Sequence, residues 1–429
     1  MSCVKKLSFL VFLLLVVLAM EVSAQWFQQK SLFSKALNQE KTYYVGLPKG
    51  YNELDTITKY PVIVFLHGAS ITATDMVNSV EPFLENFFTK LLFDKLFKVI
   101  FIIPDGSCEP FKGSFYTNSA LYGNYEDYIA SDMMEEIRNK YHTYSGREKW
   151  SIMGHSMGGF GAMKIALKYP EKFIGVSALS GPLNISYFDE LLPLLLSENG
   201  TAPPYEFTYS GNLSKLMFSM AGAFSPNPGA TPPIFFPVNS AGTIDQSVTG
   251  QWEVNNPINF IKDWKGNPAM AIHTYCGELD EFKLARQNQL FSDTLDKYKI
   301  QHTYKQDPYG DHVNSLFTSL PQGINFLYHV MDTAQIQIET AVKPIASINS
   351  LSIYPNPVND RFFVSGGSDC LQQIDIYNLS GQKVMQMGDP TPGTSIDIHH
   401  LQKGIYLVCV HFSNGTVSTL RLIKKNTGN

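Results

Sequence analysis

Trp150-Ser151-Ile152-Met153-Gly154-His155-Ser156-Met157-Gly158-Gly159-Phe160-Gly161-Ala162 is the stretch on which the reading of the fold turns. A strand-like apolar run over 150–153 enters the pentapeptide G-x-S-x-G, and a helix-like run over 159–168 leaves it. Glycines on both sides of a serine suit a turn so sharp that side chains there would collide with the adjoining strands. The pentapeptide alone is a weak signal, because three fixed positions recur by chance in a long chain. The strand before it and the helix after it are the context that makes it a nucleophile elbow. A serine placed there sits at a helix N-terminus, where free backbone N–H groups and the positive end of the helix dipole face any negative charge that develops. Ser156 is therefore the candidate nucleophile, and the N–H of Met157 one candidate oxyanion donor.

Outward from the elbow, short β-branched runs alternate with segments of helical period, the pattern of an α/β chain with a mostly parallel sheet covered by helices. Strands are predicted over 43–47, 62–66, 99–103, 150–153, 174–179, 270–276 and 302–306, and their near-continuous apolar character suits burial on both faces. Tyr125, Ile129, Met133 and Ile137 recur every fourth residue, which predicts a covering helix over 125–141 with its acidic residues on the other side. Residues 182–256 break this rhythm with dispersed Pro, Gly, Ser and aromatic residues and read as an insertion over the sheet, a lid or substrate wall. Tyr116, Trp252 and Trp264 are candidates for stacking on a sugar ring, although packing in the core or wall is the plainer reading.

The strand over 62–66 runs into His67-Gly68-Ala69-Ser70, a short form of the loop that supplies a second oxyanion donor, here the N–H of Ala69. The strand over 270–276 leads into Gly277-Glu278-Leu279-Asp280, which makes Asp280 the candidate acid, with Glu278 in reserve and helix capping as an additional role for Asp280. Three histidines follow within the predicted catalytic domain: His302 falls in a predicted strand and His329 near a helix end, which leaves His312 in the loop after the last strand as the base. An imidazole, ordinarily with a pKa of about 6.5, can take and return a proton near neutrality. His67 lies upstream of the serine, against the order serine, acid, histidine, and is expected to shape its loop; His155 is expected to point along the sheet, away from the hydroxyl. Asp311 reads as a turn residue.

A chain of 429 residues, 44% hydrophobic and 17% charged, has room for one large core and a smaller module. A net charge of −5 with no basic stripe gives nucleic acid no electrostatic basis for binding. Lys5 and Lys6, the apolar run over 7–20 and Val22-Ser23-Ala24 read as a secretory leader over 1–24, cleaved after Ala24, in preference to a membrane anchor. Cys3 goes with the leader; a bridge between Cys370 and Cys409 and free buried thiols are both open readings for the rest. No Cys/His spacing suggests zinc, and no metal or organic cofactor is indicated. The catalytic domain is predicted over 25–333 and a linker over 334–350. A small all-β sandwich follows over 351–429, with strands at 361–364, 373–377, 405–412 and 418–423 and turns at Ser380-Gly381, Lys403-Gly404 and Asn414-Gly415.

Residues 42–331 resemble the "putative esterase" family of α/β-hydrolases, which includes S-formylglutathione hydrolases, feruloyl and acetyl esterases and mycolyltransferases. The likeness rests on Tyr60-Pro61-Val62, Phe65-Leu66-His67-Gly68, Pro104-Asp105-Gly106, the run Gly154 through Ala162, Tyr169-Pro170-Glu171-Lys172-Phe173, Leu179-Ser180-Gly181, Gly277 with Asp280, and Gly310 with His312. The resemblance implies acyl transfer through a covalent acyl-enzyme, usually resolved by water. Exported members of such a family often deacylate sugars, which makes an acylated carbohydrate, plant polysaccharide included, the expected substrate. The long insertion departs from the compact members and leaves the substrate class open. Residues 351–425 resemble the C-terminal sorting domain of the type IX secretion system of Bacteroidota, through Ser352-Ile353-Tyr354-Pro355-Asn356-Pro357, Ile376-Tyr377-Asn378-Leu379-Ser380-Gly381 and Gly404-Ile405-Tyr406-Leu407. This implies the secretion machinery as partner, passage across both membranes, removal of the tail, and release or surface attachment. A peptidase or acyltransferase on the same three residues, and a surface binding protein on a hydrolase scaffold, are the alternatives.

Overall fold

The computed structural model describes residues 26–87, 98–187, 190–199, 207, 211–337, 351–365, 371–378, 382–391, 393–413 and 417–425. The predicted leader, Cys370 and the turns at Ser380-Gly381 and Asn414-Gly415 lie outside the described residues. Among the described residues no helix is long and apolar enough to cross a membrane.

Eight strands form the main sheet: β1 Phe27–Ser34, β2 Gln39–Gly46, β3 Val62–Leu66, β4 Ile100–Pro104, β5 Trp150–His155, β6 Gly175–Leu179, β7 Ala271–Gly277 and β8 Thr303–Asp307. Their order is β1-β2-β4-β3-β5-β6-β7-β8. From β3 to β8 all run parallel, while β1 and β2 close one edge antiparallel. The alternation of side chains along a strand divides the apolar residues between two cores. Val62, Val64 and Leu66 of β3 enter one core and Ile63 and Phe65 the other; Ile100 and Ile102 of β4 part from Phe101 and Ile103 in the same way. Strand β1, which the sequence reading left out, has only Phe27 and Leu32 as inward apolar residues among Gln28, Gln29, Lys30 and Ser31, as suits an edge.

Helices α1 Ala73–Phe87, α2 Met134–Lys140, α3 Met157–Lys168, α4 Leu192–Asn199, α5 Asn212–Phe224, α6 Gln246–Trp252, α7 Pro257–Trp264, α8 Leu284–Lys297 and α9 Ser315–Gln337 cover the sheet. The predicted covering helix begins at Tyr125 and winds through a π-turn over Tyr128–Met133 before α2. Tyr125, Ile129, Met133 and Ile137 are buried as the spacing requires. Its acidic side is not wholly outward: Glu126 is buried and meets the equally buried Lys164 of α3 at 2.9 Å. Helix α9 runs on to Gln337, so the predicted linker over 334–350 begins as helix, and 338–350 lie outside the described residues.

The C-terminal strands are β9 Ser352–Tyr354, β10 Arg361–Ser365, β11 Leu371–Asn378, β12 Lys383–Gly388, β13 Ser395–Asp397, β14 Gly404–Phe412 and β15 Val417–Lys424. They make two antiparallel sheets, β9-β10-β13 and β12-β11-β14-β15, closed over Val358, Phe362, Ile374, Ile376, Val408, Val410 and Leu422. Strands β9, β12 and β13 were not predicted; two of them are only three residues long and β12 is half exposed. The opposite face of the larger sheet packs Tyr377, Leu407 and Cys409 into the core that also holds Leu316, Leu320 and Leu327 of α9. Cys409 is a free, buried thiol whose pKa burial pushes up to about 12, although Thr419 beside it acts the other way.

Burial alone would raise the carboxyl pKa of Glu126, but Lys164, Lys168 and Tyr169 outweigh it and hold it at about 2. Because the folded value lies below the ordinary value of about 4.3, this contribution to stability is complete above roughly pH 4.5 and is lost as pH falls toward 2. Lys164→Met should strip the buried Oε2 of Glu126 of its cation while Lys168 and Tyr169 still hold Oε1, and cost about 2–3 kcal/mol in urea unfolding, while Glu126→Gln with Lys164→Met recovers most of it. A Lys164→Met variant as stable as the parent would contradict this.

Candidate active site

The elbow is built by close approach. A Cβ on Gly158 would stand 1.8 Å from the carbonyl oxygen of Leu66, and one on Gly154 would stand 2.3 Å from that of Gly158. With no room for side chains, β5 passes into α3 through Ser156 at φ 56°, a left-handed conformation that its N–H bond to the Leu179 carbonyl (2.9 Å) holds in place.

The three residues picked out by order along the chain meet here. Ser156 Oγ lies 2.9 Å from His312 Nε2, and His312 Nδ1 lies 2.7 Å from Asp280 Oδ2. Asp280 and His312 are buried, and Ser156 nearly so, at 9% exposure. In this geometry Nδ1–H donates to the carboxylate and Nε2 accepts the serine proton. The second oxygen of Asp280 accepts the Phe282 N–H at 2.9 Å, so Asp280 also caps its own turn. Glu278, the reserve acid, is exposed, and Asp311 binds the N–H and side chain of Asn314, as expected of a turn residue.

Two partners of His312 were not anticipated. His155 does turn from the hydroxyl, yet its Nε2–H donates to the His312 carbonyl oxygen at 2.9 Å. Burial, and then the neighbouring His312, lower the His155 pKa to about 3, so it stays a neutral donor. Glu281 accepts the His312 N–H at 2.9 Å, and the edge of Phe282 stands against the imidazole with ring centres 4.7 Å apart. These contacts join His312 to residues at least 30 positions away, and no local pattern marks them.

The loop after β3 borders the same spot. Gly68 faces the Ser156 Cβ, and a Cβ built on Gly113 would stand 3.3 Å from Ala69 Cβ and 3.2 Å from Met157 Sδ, so Ala69 and the first turn of α3 flank one space. The Met157 N–H, at the first position of its helix, has no acceptor within the helix. His67 shapes this loop: Nδ1 contacts the Gly68 carbonyl oxygen at 2.8 Å, and Nε2 accepts the Gly106 N–H at 2.8 Å. Asp105, beside it, would be raised by burial, but His67 and Lys41 hold its carboxyl well below the ordinary range.

The aromatic candidates are corrected. Tyr116 is fully buried, donates its O–H to the His67 carbonyl at 3.1 Å and fills the space left by Gly106 and Gly161; it supports the loop from beneath. Trp252 is likewise fully buried, with Nε1–H on Ser225 Oγ and its ring against Phe224, and Trp264 donates to the Pro268 carbonyl. No face of Tyr116 or Trp252 is open to a sugar. The inserted helix α5, capped by Glu198 at the N–H groups of Leu213 and Ser214, instead lines a narrow apolar cleft through Leu213, Met217 and Met220, opposite Phe282 and Leu284. Among the described residues no cluster of His, Cys, Asp and Glu could hold a metal ion.

Residues 34–321 match the model of the "Putative esterase" family, and residues 352–425 that of the secretion system C-terminal sorting domain. An uncharacterised protein of Bacillus subtilis is 26% identical over 146 residues, 34% of this chain and 58% of its own length. An esterase of Mycobacterium tuberculosis is 32% identical over 130 residues, 29% of this chain and 26% of its own. The chain thus spans little more than half of one of these relatives and about a quarter of the other. A solved ferulic acid esterase superposes with a TM-score of 0.51 at 20% identity, over 71% of this chain and 98% of that one, a likeness of fold. The sorting tail addresses the chain to export, for secretion or cell-surface attachment. With its eight-stranded sheet, its serine elbow and a family match over most of its length, the chain belongs to the "Putative esterase" family of α/β-hydrolases.

Proposed function

We propose that this protein is a secreted serine carboxylic-ester hydrolase, with Ser156 as nucleophile, His312 as general base and acid, and Asp280 as the group that orients and stabilises the imidazole. The observation that carries this reading is the unbroken chain of hydrogen bonds from Asp280 through His312 to Ser156, 2.7 and 2.9 Å long, at a strained helix N-terminus. Ser156 Oγ attacks the ester carbonyl carbon as His312 Nε2 takes its proton; the resulting oxyanion faces the N–H groups of Met157 and Ala69. Collapse breaks the acyl–alkoxy bond and the imidazolium returns the proton to the departing alcohol. Water then repeats the sequence on the acyl-enzyme, releasing the acid and restoring Ser156. His155 and Glu281 hold the backbone of His312 and take no part in proton transfer.

Residues 25–333 form the catalytic unit in this reading, 182–256 one wall of the substrate site, and 351–429 the sorting domain that meets the secretion machinery, after the leader over 1–24 has been removed. The buried aromatics withdraw the stacking argument for a sugar, so an acylated carbohydrate, plant polysaccharide included, rests on the kinship with the ferulic acid esterase fold and on export.

p-Nitrophenyl acetate, p-nitrophenyl butyrate and a feruloyl ester, offered to the protein lacking residues 1–24, should each test turnover against Ser156→Ala, which is expected to lose at least ~10³-fold in kcat. Equal, negligible turnover by both proteins would sink the reading. Asp280→Asn should keep the fold and lose roughly 10³- to 10⁴-fold, through the wrong tautomer of His312. His155→Leu, which keeps the bulk and removes the donor to the His312 carbonyl, should lower kcat about 10- to 100-fold with KM little changed; an unaltered kcat would remove His155 from any positioning role.

A further inference from the structure

Asp307 ends β8 five residues before His312 and belongs to none of the groups described above. Its main-chain oxygen accepts the N–H of Glu278 at 2.8 Å and of Gly310 at 3.1 Å. Its carboxylate accepts the Tyr309 N–H at 3.0 Å on Oδ1 and the Tyr275 O–H at 2.6 Å on Oδ2. Tyr275 lies on β7, five residues before Asp280, and the Leu279 N–H meets the Gly310 carbonyl at 2.8 Å. The loop that carries Asp280 and the loop that carries His312 are therefore hung on one residue. They have no slack between them, since a Cβ on Gly277 would stand 2.1 Å from the Gly310 oxygen.

The remaining partner of this carboxylate comes from the C-terminal sandwich. Arg421 on β15 reaches Asp307 Oδ1 at 3.2 Å, and both residues are less than a tenth exposed. Arg421 is itself fixed: its carbonyl accepts Asn356 Nδ2–H at 2.7 Å, and Asn356 Oδ1 accepts the Ile423 N–H at 2.9 Å. Nearby, Gln322 of α9 donates to the Thr419 carbonyl at 3.4 Å. A buried carboxylate with neutral donors alone is poorly compensated for its lost water, and a guanidinium supplies the missing charge.

We infer that Asp307 is a positioning residue for the acid and base loops, and that Arg421 of the C-terminal sandwich completes it, so that the sorting domain, for as long as it is attached, is coupled to the catalytic geometry. This rests on the assignment of Asp280 and His312 proposed above. Removing Arg421 leaves Asp307 buried with uncompensated charge, and the turn through Tyr309 and Gly310 loosens while the ester-binding surface is untouched.

The test uses the protein lacking residues 1–24 as parent, with Arg421→Met, Arg421→Lys and Gln322→Ala, each assayed on p-nitrophenyl acetate well below its own thermal midpoint. Arg421→Met should lower kcat about tenfold with KM within about twofold. Arg421→Lys should restore most of kcat, and Gln322→Ala, which touches the sandwich but not Asp307, should leave it unchanged. Amide hydrogen exchange at 309–312 should be faster in Arg421→Met than in the parent, a readout that stands even if no Ser156-dependent turnover is found and the proposed activity fails. A parental kcat and parental exchange in Arg421→Met would overturn the coupling, as would equal losses in Gln322→Ala and Arg421→Met.

Discussion

The site depends on how near α3 comes to β3. A helix that begins with its backbone against the Leu66 carbonyl excludes every side chain at 158 and at 154, and the chain can make the turn only by forcing Ser156 to φ 56°. Such a conformation costs a non-glycine residue roughly 1–3 kcal/mol, and it persists because its surroundings over-determine it. The surroundings are the neighbouring strands. Ser156 gives its N–H to β6, and at the end of β6 a second left-handed serine, Ser180 at φ 46°, gives its N–H to the Tyr275 carbonyl on β7 at 2.7 Å. Successive strand ends thus brace each other in the direction of Asp280 and His312, and strain at the nucleophile is carried by the same edge that bears the acid and base.

His312 is held chiefly by its backbone. Its N–H, its carbonyl and both ring nitrogens each have a partner, from Glu281, His155, Asp280 and Ser156 respectively. Because His155 donates to a carbonyl, it must carry a proton on Nε2, and the depression of its pKa to about 3 keeps a second proton off it at any ordinary pH. A histidine can therefore stand beside the base, ring centres 5.0 Å apart, without competing for the serine proton. The charge that a protonated neighbour would bring to the imidazolium is absent, and the Asp280 carboxylate faces His312 Nδ1 at 2.7 Å.

How much of this was legible follows from the range of each interaction. The inner strands announced themselves because burial on both faces leaves runs such as Val62-Ile63-Val64-Phe65-Leu66 with no polar interruption. Ser156, Asp280 and His312 could be picked out because the fold fixes their order along the chain and sets each after a strand end. Edge strand β1 was missed because an edge needs few apolar residues, and β9, β12 and β13 because short or half-exposed strands leave no period to count. Tyr116 and Trp252 misled in the opposite way. Aromatic residues outside the regular strands and helices look available to a ligand, yet Gly106 and Gly161 had vacated the space for the Tyr116 ring and Phe224 covered that of Trp252, contacts that no local spacing encodes. Glu126 was expected outside because its partner, Lys164, lies on another helix.

The C-terminal sandwich poses a different question of burial. A two-sheet sandwich needs one apolar face per sheet, and Ile374, Ile376, Val408 and Val410 supply it for the larger one. The alternate residues should then be polar, yet Tyr377, Leu407 and Cys409 are apolar and covered by α9. Standing alone, the domain would present them to water as a patch of the kind that marks an interaction surface. Apolar packing is non-directional and would tolerate several seatings of sheet on helix. The charge pair between Arg421 and Asp307 does not, because a buried guanidinium displaced by one strand residue would lose the Asp307 carboxylate and leave two buried charges without a counter-charge among the described residues. That pair therefore sets the register of the contact, and it does so at the residue from which the acid and base loops hang.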